Sequence, residues 1–338
     1  MTKTVVIVGG GSAGWLTAGI IAARHNPLDT ADQGIKVILL ESPDVANLGV
    51  GEGTWPTMRD TLRQIGISEV DFLKACDVSF KQGSQFINWQ RGEGESYYHP
   101  FVPPAGYGSL NLAAHWLNGD SDINFADAVC PQGKVCDLRL APKTPQTPEY
   151  AFGLNYGYHL NAGKFVELLK SHCVDKLGVD YQIGHVDQIV AADNGDISGL
   201  YLSNGEQISG DLFVDCTGFA ALLIGKHYQV PFVSQRDCLF NDTALAVQVN
   251  HADENTPIAS CTKSTAQSSG WVWDIALPTR RGIGHVFSSQ HVSLEKAEDE
   301  LLHYLEADPA LSKDHPAPRK ITFQPGHRES FWHKNCVA

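Results

Sequence analysis

The sequence predicts an α/β chain in which a Rossmann-like dinucleotide-binding domain is interleaved with a domain built on an antiparallel sheet. Three observations predict it. A β-branched run at residues 4–8 leads directly into Gly9-x-Gly11-x-x-Gly14 and a helix-compatible stretch. A second apolar run at 35–40 ends in Glu41. Farther along, short apolar runs separated by Asn-Gly pairs stand where a wholly parallel sheet would need repeated strand–helix units.

Each element has its own reason. Residues 4–8 form the continuous apolar run of a parallel strand buried on both faces. Gly9, Gly11 and Gly14 permit a tight turn. With Ser12 and Ala13 between them, they let a pyrophosphate approach the amides of a helix expected at 15–24. Asn26-Pro27 and Asp32-Gln33-Gly34 break the chain before the second strand, whose terminal Glu41 is placed to accept hydrogen bonds from ribose hydroxyls. Residues 56–90 carry a helical pattern (Leu62, Ile65, Phe72, Leu73), while 90–150 are rich in Gly, Pro, Tyr and Trp and read as an inserted, loop-heavy module. Helical pattern resumes at 161–172. Short strands are expected at 181–183, 186–191, 199–203 and 211–215, with hairpin turns at Asn194-Gly195 and Asn204-Gly205. Further strands are expected at 243–250, 271–277 and 283–288. An amphipathic helix begins near Ser293 and shows Leu294, Ala297, Leu301 and Leu305 on one face. The division read from this order is a discontinuous nucleotide-binding domain (1–85, 155–225, 282–338) and an inserted module (86–154, 226–281).

Composition narrows the function. Of the 338 residues 43% are hydrophobic and 19% charged, as in an ordinary globular enzyme. A net charge of −13 argues against nucleic acid as a partner. The eight cysteines include no CxxC pair and no zinc-like spacing, so they read as reduced thiols and no metal site is expected. Residues 5–23 lack charge and mimic a signal peptide or membrane span. Five glycines interrupt them, however, and a cytoplasmic protein is the better reading.

The segment Asp211-Leu-Phe-Val-Asp215-Cys-Thr217-Gly218-Phe219 favours FAD over NAD. It is a buried strand closed by a Thr-Gly turn and it follows a meander, where an NAD dehydrogenase would repeat βαβ units. Four further motifs carry a family resemblance. Gly49-Val-Gly51-Glu52-Gly53-Thr54-Trp55-Pro56 resembles the strap of the flavin-dependent tryptophan halogenases. Ser79-Phe80-Lys81 leading to Phe86-Ile-Asn88-Trp89 is similar to the segment that holds their catalytic lysine. Tyr98-His99-Pro100-Phe101 is similar to their aromatic pocket segment, and Gly270-Trp271-Val-Trp273-Asp-Ile275 to their double-tryptophan signature. Two departures stand out: the signature's closing proline is Ala276, which points to a divergent member, and the chain stops at Ala338 before the family's segment with a catalytic glutamate and halide site.

The resemblance implies a flavin monooxygenase/halogenase type of fold with a halogenation module. Lys81 is then the catalytic residue. Gly9, Gly11, Ser12, Ala13, Gly14, Glu41, Gly51, Glu52, Thr217 and Gly218 bind FAD. His99, Phe101, Trp271, Trp273 and Ile275 line the substrate pocket. The residues on their own leave alternatives. Trp271, Trp273 and Ile275 share one strand face, which the resemblance makes a wall between substrate and flavin and which the pattern alone makes packed sheet. Lys81 sits among Phe80, Gly83 and Phe86, where a dry ammonium has a shifted pKa. His99 reads as a pocket residue or a core histidine, and Glu52 as a flavin contact or a turn cap.

The activity implied is halogenation of an electron-rich, indole-like aromatic using reduced FAD, O2 and halide (chloride or bromide), with hypohalous acid guided to Lys81. No second dinucleotide site is visible, so a separate NAD(P)H flavin reductase would reduce the FAD. A homodimer is compatible with this reading. The competing readings are an FAD-dependent aromatic monooxygenase, which would place substrate beside the flavin, and a non-catalytic flavin-binding protein.

Overall fold

Alternation along the first two strands generates the core on both faces of the nucleotide-binding sheet. In Lys3–Val8, Val5 and Ile7 point to one side and Val6 and Val8 to the other; in Ile35–Glu41, Val37 and Leu39 oppose Ile38 and Leu40. One set packs against helices Ser12–His25, Met58–Ile65 and Ala162–Asp175 through Trp15, Ala18, Leu62, Phe165 and Leu169. The opposite set packs against the meander Val186–Ala191, Ile197–Leu202 and Gln207–Ser209 through Ile197, Leu200 and Ile208. Each of these buried aliphatic side chains contributes about 1.5–3 kcal/mol. The computed structural model describes residues 2–25, 34–45, 49–50, 52–92, 94–119 and 122–338. The breaks expected at Asn26-Pro27 and Asp32-Gln33 lie outside them.

The sheet has six strands in the order Trp332–His333, Cys336–Val337, Leu212–Asp215, Lys3–Val8, Ile35–Glu41, Asp180–Ile183, with parallel pairing except at the terminal hairpin. Val8 registers with Asp215 on one side and Leu40 on the other, so the glycine turn, the Thr-Gly turn and Glu41 all emerge at one sheet end. A second sheet of seven strands runs Arg319–Thr322, Thr243–Asn250, Arg280–Phe287, Gly270–Ala276, Thr262–Gln267, Gly83–Ile87, Ser96–Pro100. Helix Leu294–Ala307, capped by Ser293, covers one of its faces with Ala297, Leu301 and Leu305. A small sheet of Glu52–Gly53, Gly157–Leu160 and Ser79–Lys81 stands at the junction.

Three expectations need correction. Residues 76–90 are not helical; strands occupy 79–81 and 83–87. Gly66 closes helix Met58–Ile65 in the left-handed region (φ 81°), and Ser68 caps Glu69–Ala75. A turn with Asp77 at φ 52° then hands the chain to strands Ser79–Lys81 and Gly83–Ile87. Within 90–150 lie strand Ser96–Pro100 and the short helices Leu112–Leu117, Phe125–Val129 and Gln132–Asp137. The strand pairings also divide segment 282–338: Arg280–Phe287 and Arg319–Thr322 flank Thr243–Asn250 in the large sheet, and only Trp332–His333 and Cys336–Val337 return to the nucleotide-binding sheet. The hairpins at Gly195 (φ 84°) and Gly205 (φ 87°) form as expected.

Candidate functional site

The nucleotide end is built by close backbone approach. Gly9 adopts φ 119°, and a methyl group there would lie 2.2 Å from the Cys216 carbonyl oxygen; at Gly14 it would lie 1.9 Å from the Gly9 carbonyl oxygen. Ser12 and Ala13 form the first turn of helix Ser12–His25, which directs its free amides to the same point. Gly10 has a role that the sequence motif does not reveal, since a methyl there would come 2.3 Å from the Glu41 carboxyl carbon. Glu41 is held from the far side by Tyr181, whose hydroxyl donates to Oε2 at 2.7 Å, and Lys170 donates in turn to that hydroxyl at 3.0 Å. Its Oε1 faces Gly10.

Thr217 and Gly218 reach this end through Asp215. The Asp215 Oδ1 accepts from the Thr217 amide and hydroxyl, and its Oδ2 accepts from the Leu223 and Ile224 amides, which fixes the turn beside Gly9. A cavity of about 1270 Å³ adjoins it, lined by Ala13, Thr17, Asp215, Gly218 and the terminal Val337 and Ala338. Glycines that admit no side chain, free helix amides and a carboxylate aimed at the turn fit the phosphates and ribose of a dinucleotide.

A second cluster surrounds Lys81, the last residue of Ser79–Lys81. Its Nζ lies 6.0 Å from the Trp55 ring centre and 5.7 Å from that of Phe101. Gly53 leaves room for it, since a methyl there would lie 3.0 Å from Nζ. Among the described residues this ammonium has no hydrogen bond or ion pair, and burial pushes its pKa down, with Cys261 opposing. Trp55, 62% exposed, packs on Phe101 (5.3 Å) and on the edge of the exposed His99 (6.3 Å). Behind Lys81 lies His159, fully buried. Burial, with the Lys81 charge adding to it, pushes this imidazole down to about 3, so it is neutral. His159 Nε2 shares a hydrogen bond with Thr262 Oγ1 at 2.8 Å, and Nδ1 has no partner among the described residues.

The strap connects the clusters. Val50 accepts a hydrogen bond from Trp273 Nε1 (3.3 Å), Gly53 lies over Lys81, and Trp55 faces it. Glu52, expected beside the cofactor, accepts from the amides of Val50 (2.8 Å) and Ala162 (3.3 Å), which ties the strap to the start of helix Ala162–Asp175. Gly51 lies outside the described residues. Trp271, Trp273 and Ile275 do share one face of Gly270–Ala276, opposite the core residue Val272. Trp273 packs against Gly284, where a methyl group would collide with its ring, and Trp271 packs on Trp89 at 5.7 Å. The geometry therefore brings Lys81, Phe101 and His99 together and joins Trp273 to them through the strap. Trp55, His159 and Gly10 escape sequence reasoning: Trp55 and Gly10 lay in recognised motifs at positions those motifs leave without a role, and His159 lay in none.

A glycine turn on a buried parallel strand, an acidic residue closing the next strand and a Thr-Gly turn from a distant third define a dinucleotide-binding α/β protein of the flavoprotein type. The tryptophan halogenase family model matches residues 4–338, and the chain belongs to that family. It is 32% identical to the tryptophan 6-halogenase of Streptomyces albogriseolus and 32% identical to the tryptophan 7-halogenase of Lentzea aerocolonigenes; each match covers 99% of this chain. Among solved structures it is similar to the tryptophan halogenase of Shewanella frigidimarina (50% identity, TM-score 0.92, 99% of this chain and 65% of that one). A flavin-dependent halogenase from Brevundimonas is also similar (32% identity, TM-score 0.85, 99% of this chain and 66% of that one). The chain spans 64% of the length of both curated relatives.

Proposed function

We propose that this protein is a flavin-dependent halogenase that uses reduced FAD, O2 and halide to halogenate an electron-rich, indole-like aromatic. One observation carries the reading: a partly buried lysine without an acidic partner, walled by Trp55 and Phe101 beneath the strap. Bound FAD would supply the electrons that activate O2 toward halide oxidation. The Gly9–Gly14 turn and the helix amides would hold its pyrophosphate, and Glu41 its ribose.

Lys81 then does the work of this chain. Its N–H groups hold the oxygen of hypohalous acid by hydrogen bonds, or its neutral amine attacks the halogen, the halogen–oxygen bond breaks, and the hydroxide leaves as water with the proton that the nitrogen gives up. The depressed pKa brings the neutral amine within reach. The Trp55, His99 and Phe101 rings, set at 45° and 79° to one another, form an angled aromatic pocket against which an indole packs. Trp271, Trp273 and Ile275 keep that aromatic away from the flavin, so that only small species pass along the strap. His159, kept neutral, adds no second charge beside Lys81. A separate NAD(P)H flavin reductase reduces the cofactor.

The test supplies the protein with reduced FAD, oxygen and bromide in the presence of an indole. Halogenated product is expected, and Lys81→Ala should bind FAD normally, still consume reduced flavin and lose product by about 10²-fold or more. Lys81→Arg should not rescue it, because guanidinium stays protonated. Hydroxylated product without halogen would favour a monooxygenase, and regioselective product from Lys81→Ala would remove the lysine from the mechanism.

A further inference from the structure

Cys136 and Cys261 are 125 residues apart in sequence and meet in the fold. Cys136 lies on helix Gln132–Asp137, and Cys261 immediately precedes strand Thr262–Gln267; both are buried. Each thiol lies close enough to shift the other's ionisation, Ser260 acts on Cys136 in the same way, and both cysteines line one cavity of about 260 Å³. The backbones on the two sides are pinned through one side chain. Gln82 donates from its amide to the Ser260 carbonyl (2.7 Å) and from Nε2 to Ser260 Oγ (3.1 Å), while Gln132 Nε2 donates to Gln82 Oε1 (3.4 Å). Gln132 and Cys136 are one turn apart on the same helix face, so the link that holds Gln132 to Gln82 also holds Cys136 toward Cys261.

We propose that Cys136 and Cys261 form an oxidisable thiol pair, which a two-electron oxidant of the hydrogen peroxide class converts to a disulfide joining helix Gln132–Asp137 to the large sheet. The Cys136 thiolate attacks one peroxide oxygen. The O–O bond breaks, the departing hydroxide takes up the proton that Cys136 released, and water and a sulfenic acid result. The Cys261 sulfur attacks the Cys136 sulfur and the S–O bond breaks; the Cys261 proton leaves with the hydroxyl as a second water. Two thiols lose two electrons and two protons, and the peroxide becomes two waters.

The electrostatics assign the roles. The neighbouring Cys261, opposed by burial and aided by Ser260, holds the Cys136 thiol below its ordinary range, which makes it the attacking sulfur. The same pairing and burial push Cys261 well above its range, which leaves it a thiol until it resolves the sulfenic acid. Cys76, Cys173 and Cys336 go the other way, pushed up to about 12 by burial, and are inert structural thiols. The link matters to the site because Gln132 Oε1 accepts from the amides of Phe101 and Val102, and Phe101 walls Lys81.

The test uses the purified chain, reduced and desalted, then exposed to a few equivalents of hydrogen peroxide and digested without reductant for mass spectrometry. A peptide linked through Cys136 and Cys261, lighter by two hydrogens and reversed by dithiothreitol, is expected before any other pair. With Cys261→Ser, dimedone should trap a sulfenic acid at Cys136. The exposed Cys238 is the internal control. Oxidation at Cys238 while Cys136 and Cys261 stay reduced, or linkage of either to another cysteine, overturns the proposal.

Discussion

Replacing Lys81 by methionine should stabilise the protein while abolishing its chemistry. Lys81 Nζ is partly buried and has no hydrogen bond or ion pair among the described residues. A polar group held that way costs about 1–3 kcal/mol. The Trp55 and Phe101 rings return some of this, but at 6.0 and 5.7 Å each is near the limit of a useful cation–π contact, worth about 0.5–1 kcal/mol at most. Methionine keeps the length and the apolar stem, so the net gain for Lys81→Met is about 1 kcal/mol at neutral pH. The gain also has a pH signature. Burial lowers the folded-state pKa of Lys81 below the unfolded value of about 10.4. Between those values the unfolded chain binds more protons, so wild-type stability rises with pH. The advantage of Lys81→Met is therefore full below the folded-state pKa and closes as pH approaches about 10.4. Urea unfolding followed by tryptophan fluorescence, at neutral pH and at several alkaline values, measures it. A variant less stable than wild type by more than about 1 kcal/mol, or a difference that ignores pH, would refute the reasoning, because both require an ammonium that is well partnered.

Two further outcomes follow from buried polar contacts. Glu69 accepts hydrogen bonds from Lys143 Nζ (2.8 Å), the Tyr156 and Tyr158 hydroxyls (2.5 and 2.7 Å) and the Tyr150 amide (2.6 Å); burial alone would raise its pKa, but these donors outweigh it and hold the carboxyl below its ordinary value. Glu69→Gln leaves the Lys143 ammonium buried without its anion and should cost about 3–5 kcal/mol in urea unfolding at pH 7. That loss should shrink as pH falls below about 4.3 and the wild-type carboxylate protonates; a cost under about 1 kcal/mol would contradict it. Gly10→Ala and Gly14→Ala should separate binding from folding. The first collides with the movable Glu41 side chain and should weaken FAD binding about tenfold with stability changed by less than about 1 kcal/mol. The second strikes the Gly9 carbonyl and should lose both, as flavin fluorescence titration and thermal unfolding would report.

The sequence by itself determined whatever rests on neighbours along the chain. The glycine turn, the helix after it and Glu41 at the end of Ile35–Glu41 are legible because phosphate binding needs those residue types at short, fixed spacing. The hairpins at Gly195 and Gly205 and the helix capped by Ser293 are legible for the same reason. The tertiary structure alone decided what depends on distant partners. Ser79–Lys81 reads as helix in isolation, and it is a strand because Gly157–Leu160 supplies its ladder. Gly83–Ile87 is likewise extended between Ser96–Pro100 and Thr262–Gln267. His159 reaches Lys81, Gly10 meets Glu41, and Cys136 meets Cys261 across gaps that carry no periodicity. A strand's hydrogen bonds and a buried charge's surroundings are supplied by other parts of the chain, so no local pattern can encode them.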